Sequence, residues 1–199
     1  GKGLVFRSTR GKMEYLDFES METRVLFDHW DGWIDFDLSP DGEWMAYAQH
    51  DLDFNSDIFL MRLDGSQDPI NLTRHPDNDE HPRFSADGRL LVFTSERKAE
   101  AYDIMVVALD AEYDRLLEAD QEVYHDKAKK AAADHDHKEA NPNEWSWSLD
   151  DAWLRLRRLT TLDGDETSPW MTPGGEAIVF RGSGSHSGLH RIDWKGENR

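Results

Sequence analysis

Gly42-Glu43-Trp44-Met45-Ala46-Tyr47 decides the fold, because the chain returns to this pattern three more times. Gly88-Arg89-Leu90-Leu91-Val92-Phe93 and Gly175-Glu176-Ala177-Ile178-Val179-Phe180 repeat it, and Gly1-Lys2-Gly3-Leu4-Val5-Phe6 reads as a fourth copy. In every copy an aromatic follows the glycine by five residues. Successive glycines lie 41, 46 and 87 residues apart, the last interval being one period plus an insertion. A period of forty-odd residues with a short strand behind each turn is the pattern of a β-propeller blade. The fold class is therefore all-β, a β-propeller, and any chemistry must be sought on its loops.

Each repeat reads as four strands. The fullest runs Ile34–Leu38, Trp44–Ala48, Ile58–Arg62 and Ile70–Thr73. Ser39-Pro40-Asp41-Gly42 turns the first strand into the second: Pro presets φ, Asp bonds the local backbone and Gly accepts a positive φ. The next repeat runs His81–Ser85, Leu90–Thr94 and Asp103–Ala108, with its fourth strand delayed to Leu156–Thr161, where Arg158-Leu159-Thr160 mirrors Asn71-Leu72-Thr73. A third copy gives Ser168–Thr172, Ala177–Arg181 and Leu189–Trp194. Upstream, Leu4–Ser8, Met13–Asp17 and Thr23–Phe27 fit strands two to four of a further blade. The count is two complete and two partial blades, about half of a ring. Residues 1–111 and 153–199 are assigned to blades, and 112–152 to an acidic, partly helical insertion. Its first part carries Tyr113, Leu116, Leu117, Tyr124, Ala128 and Ala131 at helical spacing. Asp134 to Asn143 reads as a polar linker. Ser148-Leu149-Asp150-Asp151 has the form of a helix cap with an acid three residues on. Lengthening one hairpin loop costs only about 2 kcal/mol of closure entropy, so the blades are expected to fold without the insertion.

The 199 residues carry a formal charge of −18, with 38% hydrophobic and 11% aromatic residues and eight Trp. That charge excludes nucleic acid as a partner, and no apolar run is long enough for membrane insertion. There is no cysteine, hence neither disulfide nor thiol nucleophile. The compartment stays open, with a periplasmic or secreted location favoured over the cytoplasm. No signal peptide is legible and residue 1 is already at a strand entrance, so the chain is expected to start inside a longer protein.

Leu38-Ser39-Pro40-Asp41-Gly42-Glu43-Trp44-Met45-Ala46-Tyr47, followed by Asp57-Ile58-Phe59-Leu60 and Asn71-Leu72-Thr73, resembles the repeat of TolB-like and tricorn-type propellers. Arg83-Phe84-Ser85-Ala86-Asp87-Gly88 fits the same repeat. The longer form Asp35 to Gly42, with Asp53-Phe54-Asn55-Ser56-Asp57, is similar to bacterial tricorn-like proteases, which carry a charged insertion in a comparable place. The resemblance spans all of the chain but the insertion. It implies a noncatalytic part of an S41-type serine peptidase that guides or gates peptide or protein substrates, with PDZ-like and peptidase domains of the same longer chain as partners. Two alternatives remain open: a TolB-like protein–protein binding module, and the propeller cap of a prolyl-oligopeptidase-like enzyme. Thr172-Pro173-Gly174-Gly175 departs from the repeat, with Gly in place of the turn Asp.

No residue is assigned to catalysis, to a metal or to a cofactor. Gly182-Ser183-Gly184-Ser185-His186-Ser187-Gly188 places His186 where a nucleophile elbow needs Ser, and it lies on a hairpin turn. His125, Asp126, Asp134, His135, Asp136 and His137 have donors for a divalent metal such as zinc. A polar linker offers no surrounding hydrogen bonds to hold them, so the run reads as solvated charge. Asp57 and Asp103 open matching strands and read as blade-internal hydrogen-bond acceptors. Asn71-Leu72-Thr73 is formally a glycosylation sequon, explained by its strand role. Alternating strand direction puts Asp28, Asp31 and eight further acids on one loop face. Those eight, Asp51, Asp53, Asp77, Asp79, Glu80, Asp163, Asp165 and Glu166, form a candidate peptide-binding rim that would concentrate cationic peptide groups.

Overall fold

The computed structural model describes residues 2–30, 32, 34–98, 101–133 and 146–196. The described residues form four antiparallel sheets in sequence order. The first contains β1 (Gly3–Thr9), β2 (Lys12–Asp17) and β3 (Thr23–Asp28), and the second β4 (Phe36–Leu38), β5 (Trp44–His50), β6 (Ser56–Arg62) and β7 (Ile70–Asn71). The third contains β8 (Asp79–Phe84), β9 (Leu90–Lys98), β10 (Ala101–Ala108) and β11 (Leu156–Arg158). The fourth contains β12 (Glu166–Met171), β13 (Ala177–Gly182) and β14 (Gly188–Asp193). β11 pairs with β10 across the insertion, Met105 opposite Arg158 and Val107 opposite Leu156, as the repeat demands.

Burial explains why the middle strands are apolar on both faces. Three hydrophobic clusters occupy the three seams between neighbouring sheets. Val5 and Met13 meet Met45, Tyr47 and Met61 in the first seam. Ala46, Ile58 and Leu60 meet Leu91, Phe93 and Val107 in the second. Leu90, Val92 and Val106 meet Ile178, Phe180 and Ile192 in the third. Successive residues of β9 thus face opposite blades, so an alternating strand becomes a continuous apolar run. Burying each such side chain is worth about 1.5–3 kcal/mol.

The repeated turn works as its residues dictate. The Ser39 hydroxyl accepts from Trp44 N at 2.9 Å and Asp41 accepts from Glu43 N at 2.9 Å. Ser85 and Asp87 accept from Leu90 N and Arg89 N in the same way. Gly42 and Gly88 take φ of 70° and 73°, as a turn of this type requires. Gly1 of the fourth copy lies outside the described residues.

The insertion differs most from its sequence reading. It folds as α1 (Ala111–Asp114), capped by the Asp110 carboxylate, and α2 (Glu118–Ala133). The expected apolar stripe holds at Tyr113 and Ala128 and fails at Leu117, which is 76% exposed. Ser148 caps no helix: its amide donates to Leu109 O at 2.8 Å, and a single 3-10 turn starts later, at Ala152–Arg155. The segment is no free loop. Tyr113 is fully buried in the third seam, and Tyr113 and Tyr124 both lie against the guanidinium of buried Arg89. His125 stacks on Trp194 with centroids 4.5 Å apart. At its far end Trp147 stacks on Phe84 and tilts against Trp44. The insertion therefore ties the second, third and fourth blades together on the turn face.

Candidate binding face

The face opposite the insertion carries the hairpins β1–β2, β5–β6, β9–β10 and β13–β14 and the blade-to-blade connections. The structure sorts the eight acids of the sequence reading into two groups. Asp51, Asp53, Asp77, Asp163 and Asp165 are exposed, and Glu80 is half-buried. Asp79 and Glu166 are not on the open rim: both are buried at the entrance of a blade's first strand. Asp79 pairs with Arg97 at 2.9 Å, and Arg97 also donates to Thr73 O. Glu166 packs against Thr160 and Asp103, and burial, followed by the Asp103 charge, raises its pKa above the ordinary carboxylate value. Of the two acids set beside them, Asp28 is exposed and Asp31 lies outside the described residues.

Several exposed acids are tied down by local bonds. Asp51 accepts from Asp53 N at 2.8 Å and Asn55 N at 3.0 Å, which rigidifies its loop. Asp77 lies 3.4 Å from His75 Nδ1. Asp165 accepts from Tyr102 N and donates its own amide to Ser183 Oγ at 2.8 Å.

Tyr102, at the start of β10, is a candidate that the sequence alone does not single out. Partial burial and the charges of Glu80, Glu96 and Asp165 push its hydroxyl up to about 12, while Asn78 bonds it. Asn78 also donates to Glu96 at 2.9 Å and accepts from Ser56 N. The third blade, the connection that enters it and the connection that enters the fourth blade thus place polar groups around one phenol in a negative field. Only the position of Tyr102, directly before the repeat aspartate Asp103, hinted at it.

The remaining candidates resolve into structural roles. Asp57 accepts from Asn71 Nδ2 at 2.6 Å, Thr73 Oγ1 at 2.9 Å and His75 N at 3.0 Å. That network occupies the sequon asparagine. Asp103 pairs with Arg158 at 2.6 Å, while Thr160 Oγ1 accepts from Ile104 N. Ser185 and His186 form an exposed hydrogen bond of 3.0 Å on a single 3-10 turn. Of the His/Asp run, His125 is buried rather than in a linker, bonded through Nε2 to the Tyr113 hydroxyl at 3.0 Å. Asp126 is exposed, and Asp134 to His137 lie outside the described residues. Among the described residues no group of three or more metal-binding side chains comes together, and no helix is long and apolar enough to cross a membrane.

Four antiparallel blades packed seam to seam define a β-propeller, here of the kind found in tricorn and TolB proteins. The tricorn protease superposes with a TM-score of 0.66 at 16% identity, over 97% of this chain and 20% of that chain. TolB from Acinetobacter baumannii gives 0.62 at 14%, over 98% and 39%. A putative TolB from Agrobacterium tumefaciens gives 0.64 at 17%, over 98% and 58%. The chain spans less than two thirds of each. At these identities the likeness is one of fold. No protein-family model and no curated protein matches the chain.

Proposed function

We propose that this propeller is the noncatalytic, substrate-receiving part of a tricorn-like serine peptidase, and that its acidic hairpin face guides cationic segments of peptides. The observation that carries this reading is the grouping of acids around Tyr102: Asp165 accepts from its amide, Asn78 links its hydroxyl to Glu96, and the Glu80 charge acts on it as well. A cluster of carboxylates on one loop face raises the local concentration of amino termini and basic side chains. Titrating a fluorescent lysine-rich peptide onto the chain tests it. Binding should weaken with salt, and the double variant Glu96→Gln, Asp165→Asn should lower affinity by roughly tenfold. Binding that is absent, or indifferent to both changes, overturns the reading.

A second reading is supported by the TolB superpositions, which cover larger shares of those proteins. On it, the same face is a docking surface for a folded protein and serves no peptidase. The coding sequence downstream of Arg199 separates the two: PDZ-like and peptidase regions support the first, and their absence from the whole reading frame supports the second.

A further inference from the structure

Beside the acids of the hairpin face stands a group of side chains that folding does not use. Leu52 is 84% exposed, Phe54 70% and Trp30 45%. Trp30 and Phe54 meet edge to face with ring centroids 5.5 Å apart, although they come from different connections. Phe54 is held in the left-handed region at φ 65°, where a bulky side chain is strained. The Asp51 carboxylate fixes that conformation from both sides, through the amides of Asp53 and Asn55. The chain thus spends backbone strain and a capped loop to hold two large apolar side chains in water. Exposed, rigid aromatics of this kind form the anchors of recognition surfaces.

The surrounding charge selects the partner. Asp51 and Asp53 flank Phe54. Asp77 follows on the next connection, which Asn78 ties to the loop by accepting from Ser56 N at 3.1 Å. Asp28 lies on the Trp30 side. Opposite charge enters from the first blade, where Arg7 donates to Gly32 O and Arg10 packs on Gly32, and from Arg74, exposed at the start of the connection that carries Asp77. We infer that Trp30, Leu52 and Phe54 form an apolar anchor site for a peptide segment in which one or two bulky apolar residues adjoin lysine or arginine, the basic residues lying over Asp51, Asp53 and Asp77. This names the substrate class for the peptide-receiving face and rests on that reading.

Calorimetric titration of the full chain with two synthetic peptides tests it. One carries a Leu-Phe pair flanked by lysines, the other Ser-Ser in the same frame. The first should bind roughly tenfold more tightly, a difference Leu52→Ser and Phe54→Gly should each reduce severalfold without affecting the second peptide. Glycine relieves the positive φ, so Phe54→Gly keeps the loop folded. If both peptides bind alike, or if the variants leave the difference intact, the anchor site is refuted while the acidic face stands. If neither binds, the peptide-receiving reading fails and the anchor with it. If the variants instead change the sedimentation of the chain alone, the patch is a contact between copies and the inference is wrong.

Discussion

A β-carbon placed on Gly174 would stand 2.5 Å from Cβ of Lys129 and 2.8 Å from its Cα. Lys129 lies on α2 of the insertion and Gly174 in the repeat turn of the fourth blade, where the other turns carry Asp41 and Asp87. The one departure from the repeat therefore has a steric cause: the turn gives up its aspartate so that a helix backbone can approach. Thr172 makes up part of the loss by donating to Glu176 at 2.8 Å, and Glu176 in turn lies 3.6 Å from Lys129 Nζ.

Restoring the repeat residue should then do harm. Gly174→Asp should cost about 2 kcal/mol, within the range of overpacking a tight contact, and should loosen α2 while the blades stay folded. Hydrogen exchange localised to the α2 amides checks this. Unchanged protection there would mean that the helix does not need the close approach.

Docking of the same helix should be lost in acid. His125 is buried beneath Trp194 and beside Arg89, and burial, followed by that charge, lowers its pKa from the ordinary 6.5 to about 4. The native state binds fewer protons than the unfolded chain between those values. Its contribution, about 3 kcal/mol for a shift of this size, is present above pH 6.5 and is lost as the pH falls toward 4. An imidazole titration followed by NMR should show one histidine with a midpoint near 4, and His125→Gln should flatten the stability profile in that window.

The insertion was expected to be dispensable, and the packing of Tyr113 and Trp147 argues otherwise. Tyr113→Ala should cost about 3 kcal/mol, as expected for removing a buried aromatic from a core. Trp147→Ala should cost about 1 kcal/mol, since it loses two ring contacts at a partly exposed site. Removing residues 112–147 should lower the urea midpoint through both losses together. An unchanged midpoint would show the segment to be energetically silent.

The turn glycines were legible and remain so. Gly88 has φ 73°, and a β-carbon there meets only Pro40 and Trp147 at 3.5–3.6 Å, so the cost of a side chain is conformational. Gly88→Val should lose about 2 kcal/mol or more, given the left-handed penalty and the stiffness of a β-branched residue. A urea midpoint equal to that of the parent would place the turn in another class.

Repetition made the strands readable, because glycine, aromatic and aspartate recur at fixed offsets. The insertion was readable as helix but not as cement, since nothing local says that Tyr113 will reach Arg89 or that His125 will meet Trp194. The acidic face misled for a related reason. Alternating strand direction assigns Asp79 and Glu166 to that loop face but says nothing of their burial, which is rare for a carboxylate. Yet each stands three residues before a strand proline, Pro82 and Pro169. A shared offset in a repeat marks a structural position, and that signal was available. What sequence could not supply was the partner, because Arg97 is 18 residues from Asp79.

That comparison carries the last prediction. In the third blade the buried acid, Asp79, has Arg97 to balance it. Aligning the repeats through Phe93 and Phe180 puts Gly184 in the fourth blade where Arg97 stands in the third, so no guanidinium comes from that position to Glu166. Glu166 instead faces Asp103 and Thr160, and its pKa is raised. The sign follows from linkage: a carboxyl whose folded pKa is raised contributes stability in acid and loses it as the pH rises through the folded value. Glu166→Gln replaces the carboxyl, whose two oxygens are buried without a hydrogen-bond partner, with a neutral group of similar shape. The variant should match the parent near pH 4 and become more stable than it toward pH 7, by about 1 kcal/mol or more. Asp79→Asn should do the reverse, destabilising at pH 7, because it strands the Arg97 charge. Thermal unfolding of the three proteins across that range decides it. Parallel curves for the Glu166 variant and the parent would mean that Glu166 is as well balanced as Asp79.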